Sequence, residues 1–333
     1  MVDNWTGEKV VAVKLIPPCA WVSYVGAVTS VLRARGIKCD FTDVAGMSGY
    51  AFVVNIHPEL LPTGPVAFDW EVLIEGTQAL GVETELVVVE REDDDRELEA
   101  ELFERVQSEI DAGRCCILWG AGEAPEFGIV YGYRGDSYLV RSSRSCRGQG
   151  EMKPLGPDEN PEAPVRYDNL NAPWRLAALF FGEQVKLDVK LQERQAISRG
   201  VKLLRGQSAC FDSGYYYGAS AFRSWGDILE RGRADPVGNA FNLMCYWELQ
   251  MLAAGFCYRL AKKSKGAAPA LYEAGKFFQI SMSNLEKLKE KFLPKEGALD
   301  NLVNSTKAAE ILQECSMLNE RAAVALERAL GLM

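Results

Sequence analysis

The chain has 333 residues, 48% of them hydrophobic and 25% charged, and a formal net charge of −9. That length fits two modest domains or one large domain with an appendage, and the composition is ordinary for a globular protein. The scattered acidic balance argues against a nucleic-acid partner, no stretch approaches the roughly 20 apolar residues of a membrane span, and MVDNWTGEKVV lacks the basic-then-apolar order of a signal peptide.

VVAVKLI (10–16) is predicted to be extended and to lead into Pro17-Pro18-Cys19-Ala20-Trp21. From Ala20 to about Arg35 the pattern is helical. Val22, Val25, Val28 and Leu32 form an apolar stripe, while Ser23, Gly26, Ala27 and Ser30 form a small-residue face that lets a helix approach a sheet closely. Gly36 follows as a stop. Gly46-Met47-Ser48-Gly49 is turn-rich, AFVVNI (51–56) is a strand candidate, and Leu60 to Asp69 is loop. WEVLIEGTQALG (70–81) is predicted helical and ETELVVVE (83–90) a strand. The acidic run 93–95 then opens a helix to about Ala112, where carboxylates suit the dipole. Three close strands follow at RCCILW (114–119), FGIVYGY (127–133) and SYLVRSS (137–143), the last two joined by a tight turn at Arg134-Gly135-Asp136. Residues 147–164 are loop-like, and WRLAALFF (174–181) leans towards strand.

From Asp188, which can cap a helix to about Leu204, the chain turns helical. A helix over 217–231 and three long amphipathic stretches, 238–264, 269–292 and 305–331, predict a helical bundle. The nine cysteines are an odd number without a CxxC, mostly in apolar runs, so buried reduced thiols in a cytoplasmic protein are expected. With His57 as the sole histidine, no structural zinc site is expected, and nothing calls for a cofactor. Gly120-Ala121-Gly122 is not a phosphate loop, because Pro125 stands at the third glycine's position and a strand follows.

PPCAWVSYVGAVTSVLRARG, then DVAGMSGYAF, then GRCCILWG and PEFGIVYGYRGDSYLV form an ordered set of parts. It resembles the papain-like fold of the bacteriocin-processing cysteine peptidases. It is closer to the family of the butirosin-biosynthesis acyltransferase N-terminal domain. The resemblance implies an α+β fold. A papain-like domain over 1–186 would pack a Cys-bearing helix on a small, mostly antiparallel sheet, and an all-α bundle would follow over 187–333. It also implies a Cys-His-Asp/Asn site. Cys19 matches the nucleophile, but the histidine position falls on Glu126 or Phe127 and the third member near Arg141-Ser142-Ser143. The glutamine such enzymes place before the cysteine is absent from VVAVKLIPP.

Cys19, expected at a helix N-terminus, is a candidate nucleophile whose thiol the dipole would acidify; the alternative is a cysteine packed under the sheet. His57, oriented by Glu59, is a candidate replacement base, or a surface histidine at a strand end. Glu126 is a candidate base for water or an amine, or a loop carboxylate; beside a thiol it would raise the thiol pKa. Trp21, Ser48, Gly49 and Tyr50 are candidate substrate contacts, with core or interface packing the alternative for the aromatics. Two functions stay open. One is a thiol-dependent acyltransferase or amide hydrolase acting on a small molecule or peptide through a Cys19 thioester. The other is a non-catalytic homologue used for ligand binding or assembly, with homo-oligomers through the helical domain as one form.

Overall fold

The structure, a computed structural model, describes residues 6–90, 96–122, 124–146, 153–172, 175–207, 214–292 and 305–333. In chain order the elements are β1 (Glu8–Val10), α1 (Ser23–Ala34), α2 (Phe41–Ser48), β2 (Asn55–Ile56), α3 (Glu71–Gln78), β3 (Val82–Glu90), α4 (Arg96–Asp111), β4 (Cys116–Trp119), β5 (Phe127–Arg134), β6 (Ser137–Arg141), β7 (Val165–Arg166), β8 (Arg175–Gln184), α5 (Val189–Leu204), β9 (Tyr216–Tyr217), α6 (Ala221–Glu230), α7 (Pro236–Lys263), α8 (Ala268–Phe292) and α9 (Ser305–Leu330). The fold is α+β with antiparallel strand pairing. It divides into two compact units, Met1–Val44 with Leu80–Lys186, and Ala45–Ala79 with Leu187–Met333. The division falls after Lys186, and 45–79 is grouped with the second unit and not with the rest of 1–186. Nor is the second unit purely helical, because it contains the β2–β9 ribbon.

The first unit is built on the sheet β3-β8-β4-β5-β6-β7, with β1 added on β5. Cys116 to Trp119 of β4 and Arg175 to Phe181 of β8 are buried without interruption. Strands covered on both faces read as apolar runs rather than alternations, which is why CILW and LAALFF stand out in the sequence. Gly135, at φ 58°, supplies the left-handed backbone that lets Arg134 pair directly with Ser137 in the β5–β6 hairpin. From Tyr24 to Leu32, α1 is buried throughout. Tyr24 meets Phe127 edge-on, and Phe127 in turn meets Trp119. Phe103 of α4 packs against Tyr138.

In the second unit, Asp188 caps α5 as predicted, accepting from the Lys190 and Leu191 N–H groups. Of the stretch expected as a turn, 46–49, residues 46–48 are instead the end of α2. Its start lies in the first unit, where Asp40 and Asp43 exchange side-chain bonds to each other's N–H. The helix runs through Gly46 because a Cβ there would lie 2.2 Å from the Phe256 ring, so glycine serves close packing and not a bend. AFVVNI is mostly not a strand. Gly49, at φ 82°, turns the chain into a short 3-10 helix over Tyr50–Phe52, and pairing begins only at Asn55.

The bundle of α7, α8 and α9 buries a polar cluster. Asn319 donates to Gln250 Oε1 and Ser281 Oγ at 3.1 Å each and to the Cys315 carbonyl at 2.9 Å, while Gln250 Nε2 returns a bond to Asn319 Oδ1. Removing one member strands the others without water. Asn319→Ala is therefore expected to lower unfolding free energy by about 1–3 kcal/mol in a urea titration; an unchanged midpoint would contradict this role.

Candidate functional site

Cys19 does not sit at the start of α1. The Cys19 N–H donates to the Pro17 carbonyl at 2.8 Å and the Ala20 N–H to the Pro18 carbonyl at 2.9 Å, so the prolines hold two successive tight turns. A Cβ on Gly26 would lie 2.8 Å from the Pro18 carbonyl carbon. The small face of α1 therefore serves the Pro18 segment as well as the sheet. The helix begins at Ser23, with Val22 at the N-cap position. Helix-terminal charge fades within the first turn, so its support for a Cys19 thiolate does not carry over from the sequence.

The Cys19 sulfur is bonded to that of Cys146, with the two Cα atoms 5.5 Å apart. Both residues are half-buried. This pair corrects the expectation that the cysteines are reduced. The expectation holds for the other described cysteines, none of them in a disulfide, with Cys115 half-buried and the rest buried. Burial pushes the Cys39 thiol up to about 12, aided by the Asp43 carboxylate, and burial likewise lifts Cys115 and Cys315 to about 12. Cys116, Cys245 and Cys257 are raised by the same desolvation. Thiols held protonated in this way are poor nucleophiles.

Cys146 ends a short 3-10 turn, Ser143–Cys146, that begins one residue after β6. A dense set of bonds surrounds this strand end. Ser143 Oγ donates to Glu126 Oε1 at 3.0 Å. The Ser142 N–H and hydroxyl both donate to the Glu162 carboxylate, at 2.8 and 2.6 Å. Arg141 is 1% exposed and donates to the carbonyls of Asn160, Gly156 and Glu159 at 2.6, 2.6 and 2.7 Å. Leu15, four residues before Cys19, exchanges two main-chain bonds with Leu155, at 2.9 and 2.8 Å. Residues 155–162 thus form a strap tied to β6 at one side and to the approach to Cys19 at the other. The Phe127 N–H donates to Ser23 Oγ at 3.0 Å and so fixes the start of β5 on the first turn of α1.

The remaining candidates divide between the units. Trp21 and Glu126 lie with Cys19 in the first, and Trp21 is 46% exposed. Ser48, Gly49, Tyr50 and His57 lie in the second. Ser48 and Tyr50 are buried, with Ser48 Oγ donating to the Ala45 carbonyl and the Tyr50 hydroxyl to that of Pro65. Both polar groups are used inside the fold. His57 Nδ1 accepts from the Glu59 N–H at 3.1 Å, and its ring meets Tyr215 edge-on at 5.1 Å. It is the Glu59 main chain, not the expected carboxylate, that makes this bond.

Cys146, Arg141 and Glu162 carry the local architecture and were missed as site residues. The available signal for Cys146 was its place just after the third close strand, beside the expected third catalytic member. Among the described residues no group of His, Cys, Asp and Glu is placed to hold a metal ion, and no helix is long and apolar enough to cross a membrane. No protein-family model matches the chain, and no curated protein matches it significantly.

Proposed function

We propose that the chain is a non-catalytic relative of the papain-like cysteine enzymes, used for ligand binding or assembly. The observation that carries this reading is the state of the nucleophile position, where the Cys19 sulfur is committed to Cys146. Two further features support it. The position at the start of β5 that the resemblance assigns to a histidine falls on Glu126 or Phe127, Glu126 just before the strand already accepts from Ser143, and Cys19 lies outside the first turn of α1. General-base catalysis is worth about 10²–10⁴-fold, and a carboxylate does not generate a thiolate as imidazole does.

A second reading, a thiol-dependent acyltransferase or amide hydrolase, is favoured by the partial exposure of Cys19. It would operate on the reduced protein, with Glu126 handling the proton. One experiment separates the two. Reduced wild-type protein and Cys19→Ala are assayed side by side on aryl thioesters, p-nitrophenyl esters and peptide amides. The non-catalytic reading expects rates within about twofold of each other, since no base-assisted step is lost. A Cys19-dependent rate at least tenfold higher, or an acyl adduct on Cys19 by mass spectrometry, overturns it and establishes the enzyme.

A further inference from the structure

We infer that Cys19–Cys146 is a reversible thiol–disulfide exchange site whose co-reactant is a small monothiol of the glutathione class. This goes beyond either reading of the function, because it concerns the chemistry of the bond itself.

Access comes first. Exchange begins with attack of an external thiolate on a disulfide sulfur, so the bond must be reachable. Cys19 and Cys146 are both half-buried, so neither is sealed in the core. Isolation comes second. Buried, protonated thiols cannot attack the bond, and desolvation raises the thiol pKa of each free cysteine among the described residues. The pair can open without those thiols capturing either sulfur.

The third argument is that the site does not depend on its own bond. On the Cys19 side, Pro18 rests on Gly26 and Leu15 is paired with Leu155. On the Cys146 side, Arg141 holds three strap carbonyls, Ser142 is bound by Glu162, and Ser143 by Glu126. The strap 155–162 links the two sides through Leu155 and Glu162. When the bond opens, these contacts keep the sulfurs near each other at a high effective concentration, and reclosure is an intramolecular step.

In the reductive direction a monothiolate attacks one sulfur and forms a mixed disulfide. The other protein sulfur leaves as a thiolate and takes a proton from water. A second monothiol then attacks the mixed disulfide, releasing the oxidised small disulfide and the second protein thiol. Two electrons pass from two monothiols to the protein, and the small disulfide reverses the sequence.

The test uses the whole chain without denaturant. Protein is equilibrated across ratios of glutathione to glutathione disulfide and quenched with iodoacetamide. Labelled peptides are mapped by mass spectrometry, and far-UV circular dichroism is recorded in parallel. Cys19 and Cys146 are expected to convert together in one two-electron transition. Alkylation at both should rise at least tenfold, the dichroism should stay unchanged, and the bond should reclose on return to the small disulfide. Labelling of the pair only where the dichroism collapses would overturn the inference by making the bond purely structural. So would protein, purified with thiols blocked, in which Cys19 is not bonded to Cys146. Both outcomes are read on unmutated protein, so no variant has to fold.

Discussion

Arg141→Ala is expected to lower the unfolding free energy by about 3–5 kcal/mol, because the truncation leaves several buried acceptors without a donor at once. The side chain is 1% exposed, serves the carbonyls of Gly156, Glu159 and Asn160, and lies over the Tyr131 ring at 5.4 Å. Desolvating a guanidinium is costly, and only a full set of charge-assisted bonds makes the position tolerable. Alanine removes the donors and leaves a void where the stem and planar group were. Arg141→Lys should recover less than half of the loss, since a single ammonium cannot span carbonyls that a planar fork reaches together. The readouts are a urea midpoint and amide exchange. Exchange at the Leu155 N–H, bonded to Leu15, should speed up along with the strap. An Arg141→Ala protein within 0.5 kcal/mol of wild type, as a rough threshold, would show that water satisfies these carbonyls and that the arginine does not hold the strap.

The same residue illustrates what the sequence could and could not disclose. Arg141 ends a strand that the pattern SYLVRSS locates within two residues, yet nothing local says that its charge is buried among carbonyls from 156–160. Elements set by their own periodicity or caps were legible. Asp188 caps α5, the acidic run precedes α4, and the buried strands β4 and β8 appear as unbroken apolar runs. Elements set by distant partners were not. Gly46 reads as a turn until Phe256 is seen against it, and Gly26 reads as sheet packing until Pro18 is seen there. The start of α1 was misplaced for a related reason, because Ala20 to Val22 fit the helical stripe while the two prolines lock tight turns just before them. Of the candidate site, the position of Cys19 was legible and its partner was not. Cys146 is 127 residues away, and no spacing rule connects the two.

That separation sets the second large effect. Opening the Cys19–Cys146 bond is expected to cost about 5 kcal/mol in the chain-entropy account, which scales with the logarithm of the closed loop. The loop spans α1 through β6 and includes the 45–79 segment of the second unit, so the cross-link restricts much of the unfolded chain. In the folded chain the strap, Arg141 and the Leu15–Leu155 pairing remain, so native dichroism and tryptophan emission should be preserved. Cys19→Ser, Cys146→Ser and the double variant each remove the same bond. Their losses should therefore be equal rather than additive, and reductant should bring wild type down to the same midpoint while leaving the variants unmoved. The slope of unfolding free energy against urea should also be steeper in the variants, because an uncrosslinked unfolded chain exposes more surface. A double variant that loses twice as much as either single would assign the effect to packing at the two positions. Variants that melt with oxidised wild type would show that the bond contributes nothing to the fold and leave the Arg141-tied strap as what holds this end of the sheet together.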